Sequence, residues 1–161
     1  MNNPKVLIMI GSENDLPIMK ETITILKSFG ICYRLVLASA HRAPERVASL
    51  SKEAEKAGIQ VIIAGAGMAA HLAGAIAAHT ILPVIGVPIN ASLSGLDALL
   101  STAQMPGGVP VATLSIGKAG AKNAGLLSAE ILALNSAELR EKLHDYRKTM
   151  TKQIEDKQIE I

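Results

Sequence analysis

Val61-Ile62-Ile63-Ala64-Gly65-Ala66-Gly67-Met68-Ala69-Ala70-His71 opens a run that stays apolar as far as Ala78. Its start is β-branched, its middle is glycine-rich and its end is rich in alanine. β-Branched residues suit a strand, glycine a tight turn, and alanine is the best helix former. The run therefore reads as a buried strand, Val61–Ala64, then a glycine turn, then a helix, Ala69–Ala78. Its length is near the lower limit of a membrane span, and no Asp, Glu, Lys or Arg occurs between Ala57 and Leu96. Gly65, Gly67, Gly74 and His71 argue for a buried segment instead, so no membrane is expected as a partner.

Working outward, the same alternation repeats. Lys5–Ile10 is an apolar run stopped by Gly11-Ser12, and Asp15–Phe29 has helical spacing, with Pro17 in its first turn and Gly30 at its end. Cys32–Ala38 is a second strand, and Pro44 opens a helix that Gly58 closes. Beyond the central run, Pro83–Val87 reads as a strand, Leu93–Ala103 as a short helix, Val109–Ser115 as a fifth strand and Ala119–Leu134 as a helix. Strands separated by single helices predict an α/β fold: a five-stranded parallel sheet between two helical layers, in flavodoxin-like order. Residues 1–134 form the α/β core of one domain spanning 1–161, and 135–161 a C-terminal helical arm. There Asn135 and Glu138 have capping-box spacing, and Leu139, Leu143, Tyr146, Met150 and Ile154 make one stripe. The stripe covers either its own domain or a neighbouring subunit, and its length favours the neighbour. The Ala69–Ala78 helix is apolar all round apart from His71 and His79, which also predicts a second subunit against it.

Composition narrows the functions. The chain has 161 residues, 49% of them hydrophobic, enough for a full core. Aromatics are 2% and Trp is absent, so a base-stacking surface for nucleic acid is excluded. A net charge of +2 also argues against nucleic acid as a partner. Cys32 is the only cysteine, which leaves no disulfide within the chain and no Cys-based zinc site, and suits a reducing cytoplasm. The apolar run Val6–Ile10 is too short for a signal-peptide core.

In a sheet of this kind ligands bind beyond the carboxyl ends of the strands. The loop Gly11-Ser12-Glu13-Asn14-Asp15 offers glycine for close approach, a hydroxyl and helix N–H groups, a cradle for phosphate. Asp15 would repel phosphate but accept ribose hydroxyls, and together they suggest a ribonucleotide. Read alone, the loop is better explained by Asn14 or Asp15 as a helix cap. In Ser39-Ala40-His41-Arg42-Ala43-Pro44, Arg42 can fork onto an anion and His41 titrates near neutrality, as a general acid/base should. An isolated His–Arg pair is more often solvated, but this one sits in a second ligand-facing loop. Gly65–His71 resembles a dinucleotide fingerprint but follows the third strand and lacks the acidic residue about 20 positions on. Its glycines instead admit a ligand close to backbone, and His71, in the first turn of the helix, is expected to be neutral and to face the same cleft. His79 and His144 read as structural.

Six segments in order carry a closer resemblance. They are Gly11-Ser12-x-x-Asp15, Ser39-Ala40-His41-Arg42, Gly65-Ala66-Gly67-x-Ala69-Ala70-His71-Leu72, Gly86-Val87-Pro88, Leu93-Ser94-Gly95-x-Asp97 and Gln104-Met105-Pro106-x-Gly108-x-Pro110-Val111. The chain from Val6 to about Leu134 resembles the N5-carboxyaminoimidazole ribonucleotide mutase family of purine biosynthesis. The resemblance implies a flavodoxin-like subunit in a homo-octamer, acting on a small ribonucleotide with no metal, ATP, biotin or nicotinamide, hence no cofactor. It implies His41 as acid/base and His71 as a second catalytic imidazole, with Ser12, Asp15, Ser39, Arg42, Gly67 and Leu72 around the substrate. Asn14, Leu16, Met68, Ala73 and Gly107 stand where the family often has Ser, an aromatic, Gly, Pro and Arg, and the Asn90–Ser92 stretch is one residue shorter than usual. Two alternatives stay open: a carboxylase that takes CO2 directly, and a nucleotide-binding module without catalysis. Arg42 and His71 favour the mutase over the carboxylase.

Overall fold

A computed structural model describes residues 3–157. Five strands, β1 Val6–Ile10, β2 Tyr33–Leu37, β3 Val61–Gly67, β4 Val84–Ile89 and β5 Ala112–Thr113, form one parallel sheet in the order β2-β1-β3-β4-β5. This is the expected flavodoxin-like order. Between the strands run α1 Leu16–Ser28, α2 Pro44–Glu53, α3 Leu72–Ala77 and α4 Leu96–Ala103, followed by α5 Lys118–Ala133 and α6 Ala137–Glu155.

Alternation along β1 shows why the sheet needs two helical layers. Val6, Ile8 and Ile10 enter one core with Met19, Leu26 and Ala124, from α1 and α5. Leu7 and Met9 enter the other with Val47, Leu72 and Ile76, from α2 and α3. All five β1 residues are buried, the pattern of a strand covered on both faces. Thr22 of α1 donates a 2.6 Å hydrogen bond to the Ala121 carbonyl of α5, so a buried hydroxyl is satisfied where these helices cross.

Among the boundaries that differ from the sequence reading, four have a plain physical cause. β3 runs on from Ala64 to Gly67, because Ala66 and Gly67 pair with Pro88 and Ile89 of β4. The following helix starts at Leu72, not Ala69, since Met68 and Ala70 have φ of 55° and 33°, outside helical space. Leu93–Ala103 is broken: Leu93–Gly95 is a 3₁₀ turn with Leu93, Ser94 and Gly95 all at positive φ, and α4 begins at Leu96. Val109–Ser115 shrinks to Ala112–Thr113 at the sheet edge, where Pro110 has no N–H to give. Two backbone bonds, Leu114 N–H to Gly86 O and Gly117 N–H to Pro88 O, still hold the chain to β4.

The C-terminal helix is capped by Ser136, whose Oγ accepts the Leu139 N–H, and not by Asn135. Its stripe divides in two. Leu139, Leu143 and Tyr146 pack on the core, with Tyr146 against Phe29. Met150 and Ile154 remain 44% and 73% exposed. Residues 158–161 of the expected arm lie outside the described residues. In α3, Leu72, Ala73 and Ile76 are buried, whereas Gly74, Ala75 and Ala77 are half-buried in the single chain. Among the described residues, no helix is long and apolar enough to cross a membrane.

Where α1 meets α5, Gly125 leaves no room for a side chain: an added Cβ would sit 2.8 Å from Ile25 Cβ and 3.1 Å from the Thr22 carbonyl oxygen. Alanine in a helix gains about 1 kcal/mol over glycine, but overpacking against a Cβ and a backbone carbonyl costs about 1–3 kcal/mol. Gly125→Ala is therefore expected to lower stability by about 1 kcal/mol. A urea midpoint equal to or above that of the parent would show that α1 and α5 separate freely.

Candidate active site

The carboxyl ends of β1, β2 and β3 lie side by side, because Ile10 pairs with Leu37 on one flank and Gly65 on the other. The three loops that follow therefore surround one cleft of about 500 Å³. Ser12, Asp15, Ser39, His41, Arg42, Gly67, His71 and Leu72, the site residues expected from sequence, all line it.

The first loop folds on itself. Ser12 Oγ accepts the Asn14 N–H at 3.3 Å, and the Ser12 N–H donates to Asp15 Oδ2 at 2.9 Å. Ser12 is thus the cap of the 3₁₀ turn Glu13–Asp15, and Asp15 takes the cap position of α1, one of the two residues expected there, without a side-chain capping bond. Asp15 is 8% exposed. Burial pushes its carboxyl above the ordinary value of 3.8, and the Ser12 and Gly11 N–H groups and the Arg42 guanidinium pull it partly back.

The second loop is tied to the first and to itself. The Arg42 guanidinium donates from Nη2 to the Gly11 carbonyl at 2.9 Å, and the Arg42 N–H donates to Ser39 Oγ at 3.3 Å. Pro44 then starts α2 with the φ a first turn needs.

The third loop places the second imidazole. His71 occupies the cap position of α3 rather than its first turn. His41 Nε2 and His71 Nδ1 are 2.7 Å apart, with the rings edge to face at 4.9 Å between centroids. Such a contact needs one N–H and one lone pair, so at least one ring is uncharged. Both rings remain exposed to the cleft. A Cβ on Gly67 would lie 3.0 Å from Ala91 Cβ and 3.1 Å from the Ile89 carbonyl oxygen, so only glycine lets β3 and the loop after β4 close up there. Met68 and Ala70 hold left-handed φ beside it, strain of the kind that collects at functional sites.

Sequence reasoning missed Ala91, which comes from the loop after β4 and lines the cleft. It also passed over Arg46, one turn beyond Arg42, where the i, i+4 spacing was the available signal. In the loop after β4, Ser92 Oγ donates to Asp97 Oδ2, and Asp97 Oδ1 is buried with no partner among the described residues. His79 and His144 do not line the cleft. Among the described residues, no group of three or more His, Cys, Asp and Glu side chains could hold a metal.

A sheet of this order with such a cleft at its switch point defines a small-ligand α/β protein, and comparison with known proteins identifies which. Residues 5–153 match the AIR carboxylase family, and the chain belongs to it. A curated relative from Pyrococcus horikoshii, an N5-carboxyaminoimidazole ribonucleotide mutase, is 54% identical over 155 residues, covering 96% of this chain and 86% of its own. The mutase of Escherichia coli K12 is 50% identical, over 95% and 92% of the two chains. The crystal structure of Treponema denticola PurE superposes with a TM-score of 0.85 at 31% identity, over 94% of each chain.

The Asp15 carboxyl yields a prediction about stability. A carboxyl whose native pKa lies above its unfolded value binds its proton more tightly when folded. Stability then falls as pH rises from below 3.8 through the native value, and the carboxylate costs stability at neutral pH. Asp15→Asn keeps an oxygen for the Ser12 N–H and removes the buried charge. Thermal unfolding should show the variant more stable than the parent at pH 7, with the gap closing as pH falls below 3.8. A variant less stable at pH 7 would mean that the carboxylate is held by more than it costs.

Proposed function

We infer that this chain is an N5-carboxyaminoimidazole ribonucleotide mutase of purine biosynthesis, converting its substrate to 4-carboxy-5-aminoimidazole ribonucleotide. One observation carries the chemistry: His41 and His71 share a 2.7 Å contact at one end of a cleft whose other elements are Asp15 and Arg42. Mutases about half identical over nearly the full chain support the same reading.

The reaction asks little beyond proton handling and shelter. The N5–carboxyl bond breaks and releases CO2, with the electron pair left on nitrogen. The electron-rich C4 attacks that CO2, and a new carbon–carbon bond forms. C4 then loses its proton, while N5 gains one. One imidazole that gives a proton to N5 and takes one from C4 closes the balance. His41 is placed in that role, and His71, at hydrogen-bond distance, sets which His41 nitrogen carries the proton. Asp15 accepts ribose hydroxyls, and Arg42, Ser12 and Ser39 face the phosphate. Gly67 and Leu72 form the apolar wall on which CO2 stays unhydrated. No step requires a metal or a cofactor. On this reading residues 1–161 act as one mutase domain, in the cytoplasm, where the reduced Cys32 is at home.

The family's description as AIR carboxylase keeps one rival in view, direct carboxylation of the unsubstituted ribonucleotide. A spectroscopic assay without ATP separates the two. Turnover of the N-carboxylated substrate without added CO2 supports the mutase, and dependence on added CO2 supports the carboxylase. Binding without turnover would leave only a nucleotide-binding module. In the same assay His41→Asn should lose at least about 10²–10⁴ of the rate while substrate affinity holds. Near-normal turnover would remove His41 from the chemistry.

We also propose that the working form is a homo-octamer. Met68, Leu93, Leu96, Leu100, Met150 and Ile154 are exposed in the single chain, more large apolar surface than an isolated domain of this size needs to show. Light scattering should give a particle of eight chain masses, and truncation after Leu134 should shrink or precipitate it. A stable, active monomer would sink the proposal.

A further inference from the structure

The mutase reading uses one guanidinium for the phosphate, and this inference rests on that reading. Arg46 lies one helical turn after Arg42, in the first turn of α2. Its Nε donates to the Leu37 carbonyl at the end of β2, at 3.1 Å. That bond anchors the guanidinium at the strand's carboxyl end and leaves its terminal nitrogens for another acceptor. Beside the main cleft is a hollow of about 720 Å³, lined by Ser12, Asn14, Ser39, Arg42 and Arg46. Ser12, Asn14, Ser39 and Arg42 line both spaces, so the hollow continues the site outward. Glu13 is the one carboxylate on its wall. No salt bridge engages either arginine among the described residues. Arg42 makes no ion pair with Asp15 among the described residues; its hydrogen bonds go to Gly11 O and Ser39.

Two arginines that face one hollow, without carboxylate partners, suit a doubly charged anion. A phosphate monoester carries about −1.5 to −2 charges at neutral pH and three acceptor oxygens. One guanidinium and the loop hydroxyls leave part of that charge unmatched; a second guanidinium matches it. Arg46 is fixed by its own Nε bond, so less side-chain freedom is lost when the anion arrives. We propose that Arg46 is a second phosphate-binding residue, which makes this site selective for the phosphorylated ribonucleotide over the free nucleoside. It sits on the phosphate side, away from the His41–His71 pair, and its effect falls on binding rather than on proton transfer.

The test compares Arg46→Gln and Arg46→Lys with the parent protein. Because Arg46 is exposed, its loss should raise KM for the ribonucleotide by about tenfold, the low end for a charge-assisted bond, with kcat changed less than twofold. Calorimetry with inorganic phosphate should show the same loss, and titration with the unphosphorylated aminoimidazole riboside no change. Arg46→Lys should recover part of the phosphate affinity, since it keeps the charge but not the fork. Equal KM and equal phosphate affinity in Arg46→Gln would overturn the proposal. So would a parallel loss of riboside affinity, or a fall in kcat that Lys does not rescue, since either marks Arg46 as a mere prop for the Leu37 end of β2. Failure of the parent protein to turn over would count against the mutase reading alone, because the phosphate and riboside titrations need no turnover.

Discussion

Ile10 pairs with Leu37 on one side and with Gly65 on the other, and the whole site hangs on that register. A parallel ladder fixes where neighbouring strands end relative to each other. With β1 between β2 and β3, the ends of β1 and β2 lie level with Gly65, and β3 runs two residues further along β4 before its own loop begins. Two backbone bonds extend the register past the strands: Ala38 N–H to Ile10 O at 2.9 Å and Gly11 N–H to Gly65 O at 3.2 Å. A slip of one residue would turn Ile8 and Met9 to the opposite faces and carry each loop with them. The two cores on either side of β1 forbid that slip, so the hydrophobic pattern holds the chemistry in place.

Glycine and strain then bring the loops within reach. A Cβ on Gly65 would meet Met19 Sδ at 2.6 Å, so a side chain there would have to push aside the Met19 thioether that packs between α1 and β3. Beyond it, Met68 and Ala70 take left-handed φ, which costs about 1–2 kcal/mol for each non-glycine residue. The turn they make stops β3 and starts α3 three residues later than the alanine run alone would. That delay sets His71 at the helix cap, facing His41 across the cleft.

The alternation of strand and helix was legible because each βαβ unit carries its own period change and its own glycine stop. The strand-end loops were legible as ligand-facing for the same reason. Less visible was whatever depends on partners distant in sequence. His41 and His71 are 30 positions apart, and nothing local announces their contact. Met68 and Ala70 carry no mark of positive φ, since neither is Gly, Asn or Asp. The stripe from Leu139 to Ile154 has one period throughout, yet only its first half meets the core. Periodicity tells which face is apolar and says nothing of where the cover ends. Ser136 displaced Asn135 as cap because both can cap, and the choice falls to which side chain meets the Leu139 N–H. Arg46 was passed over, because its bond to Leu37 O depends on how α2 packs beside β2.

Charge in the cleft is arranged in sequence along the loops, and one residue links its two ends. Burial alone would favour a protonated Asp15, which offers fewer acceptor sites than a carboxylate. The Ser12 and Gly11 N–H groups oppose that shift from beneath, and Arg42 opposes it from the second loop. Arg42 reaches the first loop through the Gly11 carbonyl, so the guanidinium that ties the two loops also favours the carboxylate form of Asp15. His41 follows β2 beside Arg42 and His71 follows β3, and the two imidazoles are joined to each other and, among the described residues, to no carboxylate. A carboxylate hydrogen-bonded to an imidazole would favour its charged form. The arrangement follows from the strand order: the loops after β1 and β2 carry Asp15 and Arg42, the loop after β3 brings the second imidazole, and Arg42 and His41, adjacent in sequence, stand where the two meet.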